Sequence, residues 1–398
     1  MALPIKSMLD DDLYKFNMQN VVLEHYPDAD AVYRFKNRRP ADRFGRGVVD
    51  LIRQNVDQMA DLRLTDSENK WLGTDLTWFT PQYRDYLRNY RFNPDEVKID
   101  YIEDAADNQA DMEIEIAGKW HSAIRWEVPL MAIISQNFFQ VDSRSTNWTM
   151  DGQAGRVVRK GSILQENLCT WADFGTRRRR CYEMQDMIVG GMKVYDNFVG
   201  TSNVHFAMKH GVKAIGTQAH ELYMAISVLE SLRHANRFTM ERWLETYHGE
   251  LGIALTDTFG TNSFFKDFGS KLARLFDGVR HDSGDPFEFG NKVIEHYKSL
   301  RIDPMTKTIV FSDGLDVELA TKIAAYFKGK IRVSFGIGTH FTNDWTWSND
   351  LDKALNMVIK LFSINGIPVA KLSDDLGKST GEEQAVRIAR HIHFGTHL

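Results

Sequence analysis

The sequence predicts an α/β protein: a parallel sheet arranged as a barrel, preceded by a smaller α+β block. Three observations carry that expectation. From about residue 165, short and often apolar segments end in Gly, Ser, Thr or Asp and are followed by helix-like stretches. Seven such endings recur fewer than 30 residues apart on average, close to the roughly 30 residues per unit expected when eight βα units fill about 250 residues. The chain before them has a different texture, with helical and strand periods mixed.

In chain order, Asp10 to Tyr26 has helical apolar spacing, Ala31 to Phe35 reads as a short strand, and Phe44 to Asp61 returns to a helical period. Alternation over Met112 to Ile116 predicts a strand, and Trp126 to Phe139 an apolar helix beginning near Pro129. The seven endings then follow: Asp173-Phe-Gly-Thr, Val199-Gly-Thr-Ser-Asn, Ile215-Gly-Thr-Gln-Ala-His, Leu255-Thr-Asp-Thr-Phe-Gly, Val279-Arg-His-Asp-Ser-Gly-Asp, Val310-Phe-Ser-Asp-Gly and Val333-Ser-Phe-Gly-Ile-Gly-Thr. Asn356 to Ile364 supplies an eighth candidate strand, and that number of units favours closure of the sheet. Strand and helix in alternation imply right-handed crossovers, with the chemistry gathered at the strand C-termini.

At 398 residues the chain exceeds the usual size of one domain, which fits two domains or a barrel with a large appendage. Its 43% hydrophobic and 26% charged residues are those of a globular protein rather than a disordered one. A net charge of -5 argues against a general nucleic-acid binder, so any anion must be held by local basic clusters. The longest apolar run, Val128 to Ile134, is too short to span a bilayer, and no apolar signal-like run opens the sequence, so a cytoplasmic protein with no membrane partner is expected. Cys169 and Cys181 are too few for a disulfide framework and lack metal or redox spacing; both are expected as plain thiols.

Asp173-Phe-Gly-Thr-Arg-Arg-Arg-Arg180 places four guanidinium groups after a strand-to-loop turn. Consecutive arginines cannot all face one ligand, so two are expected to be solvated or paired with acidic neighbours such as Glu183, while Arg177 reads a carboxylate or phosphate. Phe174 at the same turn suits stacking on an aromatic ligand as well as a core position. Arg280-His-Asp-Ser-Gly-Asp-Pro286 packs a cation, an imidazole and two carboxylates into one loop. Carboxylates accept from a vicinal ribose diol and can hold Mg2+ with phosphate oxygens, whereas Asp285 before Pro286 reads as a helix cap. Ser312-Asp-Gly-Leu-Asp316 and Phe335-Gly-Ile-Gly-Thr339 follow late strands, where barrels form phosphate sites from backbone N–H groups. Leu376-Gly-Lys-Ser-Thr380 imitates the end of a phosphate loop, but position 372 is Leu where the first glycine belongs. His220, just past a strand end, is either structural or a group able to accept a phosphoryl group at neutral pH.

Taken together, Leu13-Tyr-Lys, Asp173-Phe-Gly-Thr-Arg-Arg-Arg, Val199-Gly-Thr-Ser-Asn, Gly216-Thr-Gln-Ala-His-Glu, Gly252-Ile-Ala-Leu-Thr-Asp, Arg280-His-Asp-Ser-Gly-Asp-Pro, Phe311-Ser-Asp, Ser334-Phe-Gly-Ile-Gly-Thr and Pro368-Val-Ala-Lys-Leu-Ser resemble, in this order, the nicotinate phosphoribosyltransferase family of type II phosphoribosyltransferases. The resemblance implies an irregular open α/β barrel over residues 136–354 and an additional α+β N-terminal domain over 1–135, joined by 355–398. It also implies a homodimer with active sites shared across the interface. Tyr14 would cover the pyridine ring from the partner while Phe174 stacks on its other face, Arg177 and Arg280 would meet the ring carboxylate, and Arg38 would contact phosphate in trans. Ser202 stands where the related nicotinamide enzymes carry an aspartate, so its neutrality favours the acid over the amide. His220 would be phosphorylated from ATP, beside Glu221. Asp282 would hold the ribose hydroxyls, Asp313 the ribose or metal, and Gly336 and Gly338 the 5′-phosphate. Asp282 and Asp313 are the expected Mg2+ ligands, and Lys371, Ser373 and Lys378 further phosphate contacts. The extra arginine at 180 departs from the family pattern and receives no role.

The implied reaction displaces pyrophosphate from the anomeric carbon by the pyridine nitrogen, whose lone pair needs no general base. The small-molecule partners are then nicotinate, phosphoribosyl pyrophosphate and ATP. Nicotinamide and quinolinate phosphoribosyltransferases are the nearest rivals; Ser202 opposes the first, and the second needs another cationic pocket. A non-catalytic sugar-phosphate-binding barrel would not need His220, Asp282 and Arg177 together, and a barrel aldolase needs a strand-end lysine that the seven endings lack.

Overall fold

Two six-stranded sheets and a short two-stranded ladder, Ala370–Lys371 against Thr380–Gly381, lie in the chain, which a computed structural model describes over residues 2–39, 43–103, 109–141, 149–344, 353–375, 377 and 379–395. In the first part lie β1 (Asp30–Asn37), β2 (Phe44–Gly45), β3 (Val97–Glu103) and β4 (Gln109–Lys119). The later strands are β5 (Trp171–Asp173), β6 (Phe198–Thr201), β7 (Ile253–Leu255), β8 (Gly278–His281), β9 (Thr308–Phe311), β10 (Arg332–Ile337), β11 (Met357–Ile364) and β12 (Ile367–Pro368).

Strands β5 to β10 form a parallel sheet in the order β6-β5-β10-β9-β8-β7, with registers such as Phe335 against Trp171 and Arg280 against Val310. The fold is α/β, and no ladder joins β6 to β7 among the described residues, so the sheet is open. That agrees with the irregular open barrel and corrects the closure that unit counting favoured. Two of the eight candidates account for the difference. Beyond β6, Ala214 forms only an isolated parallel bridge to Thr201. The eighth candidate, residues 356–364, is β11, which runs antiparallel to β1 from Asn37 against Met357 to Ala31 against Ile364. Its apolar run satisfied the pattern of a buried strand without specifying which sheet would bury it.

The antiparallel sheet has the order β12-β11-β1-β4-β2, with β3 also on β4. It packs with the helix Glu127–Val141, whose residues from Glu127 to Phe139 are all buried. Such a helix must be apolar on every side, which the sequence over Val128 to Ile134 provides. The helix Leu13–His25 is also buried on its N-terminal half despite carrying Lys15, Asn17 and Gln19. Each of these finds partners: Lys15 meets Glu127 and Glu221, Asn17 donates to the Gly216 carbonyl, and Gln19 donates to the His121 carbonyl. No helix among the described residues is long and apolar enough to cross a membrane.

Candidate active site

The N-terminal segment enters the site through three consecutive buried carboxylates. Asp10 receives both Arg179 terminal nitrogens, at 2.7 and 2.9 Å, Asp11 receives Arg125 Nε at 2.7 Å, and Asp12 accepts from the Ser202 hydroxyl at 2.6 Å. The Leu13 amide donates to the Ser202 carbonyl. These bonds pin the start of the helix Leu13–His25 against the end of β6, and Tyr14 thereby lines a cavity of about 800 Å³ together with Arg38, whose amide donates to the Asn356 carbonyl, and with Phe174, Arg177 and Ser202 of the same chain. The expectation that Tyr14 and Arg38 arrive from a partner subunit is corrected here: the fold of a single chain delivers both.

At the end of β5, Asp173 turns inward. Its carboxylate accepts from the Gly175 amide, Gln185 and Thr201, and burial pushes it up to about 6. Phe174 then projects over β10, where a Cβ on Gly336 would lie 2.3 Å from the ring. This corrects the phosphate role expected for Gly336. The residue sits inside the ladder opposite Ala172, buried and away from the cavity lining, and its lack of a side chain makes room for Phe174. Gly338, at the strand end, does line the cavity.

The four arginines divide two and two. Arg177 and Arg178, on a short helical turn, line the cavity, whereas Arg179 and Arg180 are fully buried. Arg179 pairs with Asp10 rather than with Glu183, and Arg180 lies 3.6 Å from the Phe139 ring centroid. Arg177 donates to Glu127 at 3.3 Å. Burial and the like charges of Arg177 and Arg38 lower Arg178 to about 10.

Across the cavity, His220 opens the helix His220–Leu229. Its Nδ1 is 3.0 Å from the Thr258 hydroxyl, and its Nε2 lies 2.9 Å from both Asp282 Oδ2 and Lys371 Nζ. Burial lowers the imidazole pKa, and Lys371 adds to that against the opposing pull of Asp257 and Asp282. Asp282 accepts from Ser312 at 2.9 Å; against the cost of burial, Arg280 and His220 hold it well below the usual carboxylate range. Arg280 is anchored by the Gln218 carbonyl at 3.0 Å. Asp285 caps the following helix as expected, accepting from the amides of Phe287 and Glu288.

Arg280, Asp282, Asp313 and Lys371 line the same cavity as Phe174 and His220. Ser373 does not: its hydroxyl points to Ser283, which donates to Asp257, so its expected phosphate contact is also corrected. Lys378 lies outside the described residues. Four charged groups on the cavity wall were missed by sequence reasoning: Asp12, Glu127, Arg178 and Lys360. Lys360 in β11 is a cation inside an apolar run, and the lone charge in that pattern was a signal. So was Arg178, adjacent to Arg177. Asp257 was missed as well, although it stands in a strand ending, and it forms with His220 and Asp282 a cluster whose ligand atoms lie within 4.8 Å of one another. The Lys371 ammonium is 3.3 Å from Asp257 and 2.9 Å from His220, which opposes a resident cation in that cluster. Asp282 and Asp313, as carboxylates on the cavity wall, are the better fit for Mg2+, a hard ion that prefers oxygen ligands.

Comparison with known proteins agrees with this geometry. Residues 9–135 match the model of the nicotinate phosphoribosyltransferase N-terminal domain, and residues 169–396 that of the nicotinate phosphoribosyltransferase family. A Methanosarcina mazei protein named nicotinate phosphoribosyltransferase is 47% identical over 404 aligned positions, covering 98% of each chain. The solved nicotinate phosphoribosyltransferase structure from Porphyromonas gingivalis superposes with a TM-score of 0.90 at 35% identity, over 97% of this chain and 99% of that one. The structure from Vibrio cholerae gives 0.91 at 34% identity, over 99% and 95%. With both of its parts matched by family models and its whole length by these relatives, the chain belongs to the nicotinate phosphoribosyltransferase family.

Proposed function

We propose that this chain joins nicotinate to 5-phosphoribosyl 1-pyrophosphate, giving nicotinate mononucleotide and pyrophosphate for NAD biosynthesis in the cytoplasm, and that it couples this to ATP through a phosphohistidine at His220. One observation carries the reading: Phe174, Tyr14 and Arg177 share a single cavity with His220, Asp282 and Lys371. The two aromatic rings suit a flat pyridine, and Arg177 with Arg280 supplies charge for its carboxylate. The amide of Gly338 and the cations Arg38, Arg178 and Lys371 face the phosphates, while Asp282 and Asp313 accept from the ribose hydroxyls. Mg2+, bound with pyrophosphate, would neutralise charge on the leaving group.

The pyridine nitrogen attacks the anomeric carbon with its own lone pair as the bond to pyrophosphate breaks, so the protein's work is alignment and charge neutralisation. In the ATP-dependent step, His220 Nε2 attacks the γ-phosphorus as ADP leaves, its proton passing to Asp282. Lys371 and the helix N-terminus at His220 then offset the added negative charge. Water later releases phosphate and regenerates the imidazole. The homodimer expected of this chain would carry two complete sites, one per chain.

A specific observation favours a second reading. Asp12 places a carboxylate beside Ser202, where the amide of nicotinamide would find an acceptor. Burial raises Asp12, which lessens its repulsion toward nicotinate. Product analysis with nicotinate, nicotinamide and quinolinate, each with phosphoribosyl pyrophosphate and with or without ATP, separates the readings. Only nicotinate should yield its mononucleotide. His220→Ala should abolish both the ATP stimulation and the acid-labile phosphate found on the protein after incubation with ATP; formation of nicotinamide mononucleotide would instead sink the assignment of the acid.

A further inference from the structure

Glu127 is an odd group to find in this cavity. It is a buried carboxylate on the wall of a pocket whose ligands are anions, and an isolated carboxylate there would both cost desolvation and repel them. Its partners explain how the site tolerates it. Lys15 Nζ lies 2.6 Å from Glu127 Oε2 and also binds Glu221, which in turn accepts from Tyr33 at 2.9 Å. Glu127 Oε1 receives Nη1 of Arg177 at 3.3 Å. Four charges of alternating sign therefore run from Arg177 through Glu127 and Lys15 to Glu221, the residue after His220. Despite burial, Lys15 and Arg177 hold Glu127 below the usual carboxylate range, so it remains an anion.

Arg177 needs such a tether more than its neighbours do. Its side chain is 41% exposed, it stands on a short turn, and the like charges of Arg38 and Arg178 press on it. Glu127, by contrast, is the first residue of the helix Glu127–Val141, buried from Glu127 to Phe139, which packs directly on the turn that carries Arg177. A guanidinium offers five N–H donors in a rigid fork, so a carboxylate that takes one terminal nitrogen sets the direction of the others.

We propose that Glu127, locked in place by Lys15, is a positioning residue that aims the Arg177 guanidinium at the carboxylate of the pyridine substrate. The inference rests on the reading of Arg177 as the receptor for that carboxylate. Its energetic logic is that of a pre-aligned donor: the orientation of the arginine is fixed before the substrate arrives, so binding does not have to supply it.

The test is steady-state kinetics of Glu127→Gln, Arg177→Ala and the double variant, each first shown by circular dichroism and thermal melting to be folded. Glu127→Gln should raise the KM for nicotinate about tenfold, the scale of one charge-assisted hydrogen bond, and leave kcat and the KM for phosphoribosyl pyrophosphate within about twofold. In the Arg177→Ala background the same substitution should add less than about twofold, because it acts through the missing side chain. A rise in both KM values together, or effects that multiply in the double variant, overturns the proposal and leaves Glu127 a structural residue. Arg177→Ala alone tests the underlying reading: an unchanged KM for nicotinate would remove Arg177 from the carboxylate pocket and end the proposal with it. Should Glu127→Gln not fold, Glu127→Asp keeps the charge facing Lys15 but is one methylene too short to hold both partners, and the same split in KM is expected.

Discussion

Gly336 has no room for even one methyl group: a Cβ there would fall 2.3 Å from two carbons of the Phe174 ring. Gly336→Ala should therefore displace the ring and cost about 1–3 kcal/mol, the range for overpacking a filled site. The melting temperature should fall and the KM for nicotinate rise, while the KM for phosphoribosyl pyrophosphate stays put; a normal nicotinate KM would mean that Phe174 does not touch the pyridine. The case shows what residue types reveal and conceal. The glycines after Phe335 were legible as places of close approach, but what approaches Gly336 is a side chain 162 positions earlier in the chain. Asp282, Arg177 and Phe174 were readable because each follows a strand end, and His220 because it follows a strand-like ending that forms only an isolated bridge. Asp12 and Glu127 were not, because their cavity faces arise from helix packing that no local pattern encodes. In the run of four arginines, Arg179 and Arg180 were indistinguishable from their neighbours until Asp10 and Phe139 appeared beside them.

Among the elements, β11 ties the two sheets' business together. It pairs with β1 in the antiparallel sheet yet puts Lys360 on the cavity, where Nζ lies 3.0 Å from the Thr380 hydroxyl. Burial, then Lys371 and Arg38, lower Lys360 to about 7, with Arg177 acting in the same sense and Glu127 against it. The sign of the consequence follows from the charged form being the one that pairs with phosphate. Below the free-protein pKa the ammonium is already present and anion binding takes up no proton; above it, binding must draw one from solvent. Calorimetry of pyrophosphate binding in buffers of different ionisation enthalpy should show proton uptake growing between about pH 6 and about pH 8, relative to Lys360→Met, which cancels the ligand's own ionisation. Equal uptake in the two proteins would show that Lys360 does not meet the anion. The period of β11 was legible in sequence, whereas its sheet was not, since an apolar run does not name its neighbour. The same blindness made eight strands out of six: polar endings mark where units stop, but only the backbone ladder shows that Ala214 contributes a single bridge.

For the molecule as a whole, Asp10, Asp11 and Asp12 bind the N-terminal segment to three separate partners: Arg179 after β5, Arg125 before the buried central helix, and Ser202 after β6. Losing one member of a buried charge pair typically costs about 3–5 kcal/mol, so this segment is a fixed part of the architecture rather than an arm free to exchange between subunits. Among the described residues, one polypeptide thereby brings both Tyr14 and Arg177 to the cavity. Two crippled proteins, one bearing Tyr14→Ala and the other Arg177→Ala, should stay crippled when co-expressed or refolded together, because no mixed assembly can reunite an intact Tyr14 with an intact Arg177. Turnover per chain should likewise hold steady on dilution through any dissociation step. Recovery of activity in the mixture would reveal that the opening residues do cross over after all.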